Sequence, residues 1–156
     1  MAAEIERKFL VGEPPAEALE SPSAEIDQGY LVSDGETEIR LRRKGGTHFI
    51  TVKKGHGGVR EETEVEITAD QFGGLWSQTE GWRVEKRRHF IPLDGGLTAE
   101  MDVYGGQLDG LVTVEVEFES VLESREFVPP RWFGDDVTGD INYSNQQMAR
   151  KGAPLR

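Results

Sequence analysis

Residues 111–119 alternate without a break: Val112, Val114, Val116 and Phe118 fall on one parity, and Thr113, Glu115, Glu117 and Glu119 on the other. A β-strand sends successive side chains to opposite faces, so this stretch predicts a strand with one apolar and one charged face. The same period of two recurs near 3–11, 25–32, 37–44, 47–54, 59–67, 82–92 and 97–104. Glycine-rich signals at Ser33-Asp-Gly35, Gly45-Gly46, Gly55-His-Gly-Gly58, Asp94-Gly-Gly96 and Gly105-Gly106 punctuate the runs as turns do. Ala69 to Thr79 instead places Phe72, Leu75 and Trp76 about a helical turn apart and predicts a helix. Phe127 to Phe133 and Asn142 to Lys151 read as short helices or irregular segments, and Pro14-Pro15 and Pro129-Pro130 as bends. Consecutive strands joined by tight turns predict a mainly β (α+β) fold, an antiparallel barrel or sandwich of eight strands with a few short helices. No linker, repeat or low-complexity tract interrupts residues 1–156, so a single domain is expected.

The charged faces are sorted by sign. Glu38, Arg40, Arg42 and Lys44 share one face against Ile39 and Leu41, and Phe49, Thr51 and Lys53 share another against Ile50 and Val52. Glu62, Glu64 and Glu66 stand with Arg60 against Val65 and Ile67, and Glu100 with Asp102 against Met101 and Val103. The strand at 82–92 is polar on both faces, with Lys86 and Arg88 on the parity of Val84 and Phe90, and Glu85, Arg87 and His89 on the other. A solvated face would mix signs along each strand, because like neighbours repel. Strands that are mainly acidic, at 59, 97 and 111, beside strands that are mainly basic, at 37 and 47, suit a closed sheet whose interior is charged. Acidic walls would hold metal and basic walls a polyanion.

Composition narrows the partners. The formal net charge of −11 argues against nucleic acid, whose affinity rests on cationic contacts to phosphate. Cysteine is absent, which removes disulfides, thiolate metal sites and a cysteine nucleophile. The charged N-terminus has no apolar signal-like core and no run approaches a membrane span of about 18 residues, so a cytoplasmic protein without membrane contact is expected. His48, His56 and His89 share no ligand spacing and read as surface residues, while Trp76, Trp82 and Trp132 read as packing residues. Lys151 stands where a terminal helix could reach a tunnel mouth, or remain a solvated tail charge.

Glu4, Glu6 and Lys8 open the chain as Glu-x-Glu-x-Lys, with Ile5, Phe9 and Val11 on the opposite face. Two carboxylates at this spacing can share a divalent cation, and a neighbouring lysine can hold the anion it bridges. Further along come Gln28-Gly-Tyr-Leu31, Ile39-Arg-Leu-Arg42, Thr51-Val-Lys53, Arg60-x-Glu62-x-Glu64, Glu85-Lys-x-Arg88, Glu100-x-Asp102, Val114-Glu-Val-Glu117, Val137-Thr-Gly-Asp140 and Tyr143-Ser-Asn145. In this order the motifs resemble the CYTH, or triphosphate tunnel metalloenzyme, superfamily, and the resemblance covers nearly the whole chain.

The resemblance implies an eight-stranded antiparallel β-tunnel that binds a triphosphate with Mg²⁺ or Mn²⁺. Carried over by position, Glu4, Glu6, Glu115 and Glu117 resemble metal ligands, with Glu62, Glu64 and Asp102 as further carboxylates. Lys8, Arg40, Arg42, Lys53, Lys86 and Arg88 resemble a phosphate cradle. The short chain and its Gln-Gly-Tyr-Leu segment are similar to the compact bacterial branch linked to tripolyphosphate hydrolysis, in which Tyr30 would accept a proton with Lys8 beside it. The implied reaction is hydrolysis of inorganic tripolyphosphate, or of another triphosphate-bearing small molecule, to diphosphate and phosphate. A class IV-type adenylate cyclase and a non-catalytic triphosphate-binding module are the rival expectations, and a homodimer is left open.

Overall fold

The computed structural model describes residues 5–55 and 61–154, so expectations for Glu4, His56 and Arg60 lie outside the described residues. Eight strands form one antiparallel sheet: β1 (Ile5–Leu10), β2 (Ser23–Ser33), β3 (Thr37–Lys44), β4 (Thr47–Lys54), β5 (Glu61–Ile67), β6 (Arg83–Pro92), β7 (Thr98–Tyr104) and β8 (Val112–Phe118). Their order across the sheet is β1-β8-β7-β6-β2-β3-β4-β5. The expected strands are all present within the described residues. Side chains of β1 and of β5, the two edges, line one chamber of about 1020 Å³, so the sheet curls until its ends face each other. That is the expected tunnel.

Hydrogen bonds do not close the circle through β5 among the described residues. The free edge of β1 is instead occupied by the C-terminal segment. Leu10 N–H donates to Asp135 O at 2.9 Å, and Val137 N–H donates to Lys8 O at 2.9 Å. Lys8 N–H donates to Thr138 Oγ1 at 3.0 Å. Covering an edge in this way satisfies backbone groups that would otherwise template a foreign strand. The approach is tight enough to need glycine: a Cβ on Gly134 would stand 2.8 Å from Leu10 O.

Because the inner face is charged, the main core lies outside the tunnel. Phe9, Val11, Ala99, Met101, Val114, Val116 and Phe118 point outward from β1, β7 and β8, or from just beyond β1, and bury together with Ala18 and Phe133. Helix α1 (Ala16–Leu19), helix α3 (Val121–Glu126) and the irregular segment 127–133 cover them. Phe9 and Phe133 meet at 5.0 Å between ring centroids, Phe118 and Phe127 at 5.2 Å. Each fully buried side chain of this size contributes about 1.5–3 kcal/mol. Helices α1 and α3 were not expected. Residues 127–133 resolve to the irregular alternative, since Pro129-Pro130 deny a helix its amide donors, and the helical turn sits just before them, capped by Ser120 Oγ accepting from Glu123 N–H at 3.0 Å.

Helix α2 (Ala69–Trp76) falls inside the expected 69–79, with a 3-10 turn over Ser77–Thr79 completing it. A capping box starts it, Thr68 accepting from Gln71 N–H while the Gln71 side chain accepts from Thr68 N–H. Phe72 packs it over His48 at 4.9 Å, on the outer face of β4. His48 is half-buried and His89 is buried, so the reading of these two histidines as surface residues is corrected: both belong to the packing of the sheet's outer side. Helix α4 (Asn145–Lys151) follows a 3-10 turn over Ile141–Tyr143 and replaces the expected 142–151. It closes one end of the tunnel, where Leu10, Tyr30, Val84 and Tyr104 from the inner face bury with Val137, Tyr143, Met148 and Ala149. Trp82 indole N–H donates to Gln146 O at 2.9 Å, and the Arg150 guanidinium lies 3.6 Å over the Trp82 ring. Among the described residues no helix is long and apolar enough to cross a membrane.

Gly29, inside the Gln-Gly-Tyr-Leu motif, is a packing requirement. A Cβ there would lie 2.5 Å from Oγ1 of the fully buried Thr79, in a turn that Arg83 pins by donating to Thr79 Oγ1 and Trp76 O. Gly29→Ala is expected to cost about 1–3 kcal/mol by overpacking, read as a lowered urea midpoint. An unchanged midpoint would mean that the 77–79 turn moves freely.

Candidate active site

Strand parity delivers the chamber. Glu6 and Lys8 of β1, Tyr30 of β2, Glu38, Arg40 and Arg42 of β3, and Lys53 of β4 face inward. So do Glu62 and Glu64 of β5, Arg88 of β6, Glu100 of β7, and Glu115 and Glu117 of β8. The C-terminal residues 137–141 and 143–146 complete the lining. The strand order turns this set into two arcs. The acidic strands β5, β1, β8 and β7 are contiguous across the gap between the edges, and the basic arc β6, β3 and β4 lies opposite, with the polar strand β2 inside it. Sorted strands have become facing walls.

The acidic wall is densest on β1, β8 and β7. Glu6 stands directly across from Glu117, and Glu115 across from Glu100. Opposed carboxylates repel unless cations lie between them. Lys8 provides one: its Nζ lies 3.6 Å from Glu115 Oε1 and donates to Tyr143 O at 2.6 Å. Arg88 provides another, with Nη1 2.9 Å from Glu100 Oε2. Glu64 accepts from Thr51 Oγ1 at 2.8 Å.

Asp102 and Lys86 lie beneath the lining rather than in it. Asp102 is 1% exposed and takes Arg88 Nε on Oδ1 at 2.8 Å and Arg88 Nη2 on Oδ2 at 3.0 Å. Lys86 Nζ, fully buried, forms an ion pair with Oδ2 at 2.9 Å. Burial pushes the Asp102 carboxyl up, but Lys86 and Arg88 outweigh it and hold it far below the usual carboxylate range. Burial brings Lys86 down to about 8, the pull of Asp102 being opposed by Arg88 and Arg42. Asp102 is thus the counter-ion of the basic pair, and a metal ion would have to compete with Lys86 and Arg88 for it.

On the basic wall, burial beside Arg40 and Arg88 brings Arg42 down to about 10. Arg42 donates from Nε and Nη2 to Gln28 Oε1 at 3.2 and 2.9 Å, and Gln28 Nε2 donates to the Tyr30 hydroxyl at 2.7 Å. Arg40 Nη1 is 3.9 Å from Glu38 Oε2, and Arg40 Nε is buried with no hydrogen-bond partner among the described residues. The Arg40 guanidinium lines the chamber, and a cation there fits an anion, while its buried, unmet Nε donor costs about 1–3 kcal/mol. Lys151 is exposed and does not line the chamber, and its neighbour Arg150 is spent on Trp82.

Among the described residues no three His, Asp or Glu side chains converge as a ready-made cation site. Small hard cations bind through one or two carboxylates and keep their remaining positions for water and substrate phosphates. The acidic wall offers carboxylate oxygens, the donor type that hard divalent cations prefer. Glu38 and Glu100 join the chamber without having been singled out as site residues, although their parity in the alternating strands already placed them there. Gln28 carried no role in the sequence, because its importance lies in what it touches.

Fold and site together define a β-tunnel protein with opposed acidic and basic walls. The chain belongs to the CYTH domain family, whose model matches residues 2–150. It is 44% identical over 147 residues to the inorganic triphosphatase of Nitrosomonas europaea, covering 94% of this chain and 96% of that one. It is 32% identical over 152 residues to the inorganic triphosphatase of Acetivibrio thermocellus, covering 96% and 95%. The crystal structure of the inorganic triphosphatase NE1496 superposes with a TM-score of 0.79 at 42% identity, over 99% of each chain.

The Asp102 cluster makes a stability prediction. Asp102→Ala leaves Lys86 and Arg88 buried without their counter-ion and is expected to destabilise the fold by about 3–5 kcal/mol. A loss below roughly 1 kcal/mol in equilibrium unfolding would show that water or Glu100 replaces the carboxylate.

Proposed function

We propose that the chain hydrolyses inorganic tripolyphosphate to diphosphate and phosphate, as a metal-dependent triphosphatase. The observation that carries this reading is the pair of facing arcs, acidic on β5, β1, β8 and β7 and basic on β6, β3 and β4, which line one chamber. The similarity to two inorganic triphosphatases over nearly the whole chain supports it.

In this reading Arg40, Arg42, Lys53 and Arg88 bind phosphate oxygens, the arginines as planar forks and Lys53 as a point charge. Lys86 supports the cradle from below. Lys8, held between Glu115 and Tyr143 O, stands where the acidic wall meets the substrate. Glu6, Glu115 and Glu117, with Glu4 and the β5 carboxylates Glu62 and Glu64, form the cation wall, and Asp102 enters that set only by giving up Lys86 or Arg88. A divalent cation, Mg²⁺ or Mn²⁺, supplies neutralisation of phosphate charge and acidification of water when bound there.

Tyr30 accepts the proton. Water attacks the terminal phosphorus, the bridging P–O bond breaks, diphosphate leaves, and the proton from water passes to the Tyr30 phenolate oxygen. Burial pushes the Tyr30 hydroxyl up to about 12, Glu38 adds to the rise, and Arg40, Arg42 and the Gln28 hydrogen bond pull it down. A base with a raised pKa acts as pH climbs toward that value, so the rate is expected to rise into the alkaline range. The same reading places the enzyme in the cytoplasm, with no nucleic acid or membrane partner.

Phosphate release from tripolyphosphate, ATP and thiamine triphosphate with Mg²⁺ or Mn²⁺ tests the assignment. Tripolyphosphate is expected to turn over fastest, whereas cyclic AMP with diphosphate from ATP would make the protein a cyclase, and tight binding without product a binding module. Glu6→Gln is expected to lower kcat at least about 100-fold with the fold intact. Retention of full activity would remove Glu6 from the metal wall.

A further inference from the structure

Gln28 is fully buried on the inner face of β2, two residues before Tyr30, and stands behind the chamber rather than among its lining residues. Its amide has one possible orientation. Arg42 has only N–H donors, so the Gln28 atom facing it at 2.9 and 3.2 Å is the carbonyl oxygen Oε1. The amide nitrogen is therefore turned to Tyr30, and at 2.7 Å it donates to the phenol oxygen. Tyr30 must then accept from Gln28 and direct its own proton elsewhere, and the chamber it lines is the open direction. Arg42 spends Nε and Nη2 on Gln28 and also lines the chamber.

We infer that Gln28 is a positioning residue for the hydrolysis: locked by Arg42, it sets the polarity of the Tyr30 hydroxyl so that the phenol oxygen can take up a proton from the chamber. The inference rests on the reading of Tyr30 as proton acceptor and deepens it. A donor fixed on the phenol oxygen stabilises the phenolate, the form a base needs, and forbids the wasteful arrangement in which the hydroxyl donates to its neighbour. The charged groups facing the hydroxyl are Arg40, Glu38 and Arg42, all on β3. Trp82 packs against the Tyr30 ring at 5.7 Å, and Tyr104 and Tyr143 share its apolar cluster. Among these neighbours Gln28 is the side chain that makes a hydrogen bond to the Tyr30 hydroxyl among the described residues.

Gln28→Glu separates this role from a structural one, because a carboxylate of the same shape still accepts from Arg42 but cannot donate to Tyr30. With Arg42 still anchored, KM for tripolyphosphate is expected to stay within about threefold, while kcat falls roughly 10-fold to 100-fold for the lost hydrogen bond and added negative charge. The rising limb of the kcat–pH profile is expected to move to higher pH by about one unit or more. In the Tyr30→Phe background, Gln28→Glu is expected to cause no further loss of kcat. A limb that stays in place, a kcat within twofold of the parent, or losses that add in the double variant would overturn the inference. Should Gln28→Glu fail to fold, Gln28→Leu, which buries no charge, is read on the same limb, and an unmoved limb there overturns it equally. Tyr30→Phe alone distinguishes the two failures. If it leaves kcat and the limb untouched, the base assignment falls and the inference with it. If it lowers kcat and removes the limb while both Gln28 variants are silent, only the inference falls.

Discussion

A sheet that turns its charged face inward cannot use its interior as a hydrophobic core, and the rest of this structure answers that constraint. Val114, Val116 and Met101 face away from the tunnel and bury on the convex side, so something must cover them there. That is why short helices α1 and α3 and the aromatic segment 127–133 wrap the outside. The inner face gains an apolar closure at one end, where Tyr30, Val84 and Tyr104 meet the C-terminal residues. The same C-terminal segment occupies the free edge of β1 and lines the chamber, so it contributes to edge, plug and site together.

Inside the tunnel, charges are arranged at two depths. Below the surface, Asp102 binds Arg88 and Lys86 and allows two cations to sit side by side in a nearly water-free position. Breaking such a cluster is costly even where its net contribution to stability is small. At the surface Glu6 faces Glu117 and Glu100 faces Glu115 across neighbouring strands, and among the described residues the buried Arg40 Nε has no hydrogen-bond partner. The deep layer holds the basic wall in place, and the like charges that face each other at the surface are what a metal-bearing polyanion would neutralise. Stability and binding thus draw on different members of one charged set.

Much of this was legible in the sequence because a strand has a period of two and nothing blurs it. Parity alone put Arg40 with Arg42, Glu62 with Glu64, and Glu115 with Glu117 on common faces, and all six line the chamber. Parity says which way a side chain points but not what it meets. It therefore grouped Asp102 with Glu100 as an acidic pair, while the β6–β7 register gives Asp102 to Arg88. It could not show that the edge of β1 is taken by residues 134–138, a contact separated by about 130 positions in the chain. Nor could it give Gln28 a role, since the role consists of two hydrogen bonds fixed by tertiary packing. Helix α3 escaped for another reason: six residues carry too little periodicity to register, and only Ser120 as a cap hints at it.

The central claim is that the two arcs clamp a triphosphate together with a divalent cation. Calorimetric binding of a non-hydrolysable triphosphate analogue, in Mg²⁺ and in chelator, tests it most directly. The account predicts binding that strengthens at least about tenfold when Mg²⁺ is present, because the acidic arc then attracts the complex instead of repelling the bare anion. Equal affinity with and without the cation, or no binding in either condition, would contradict it.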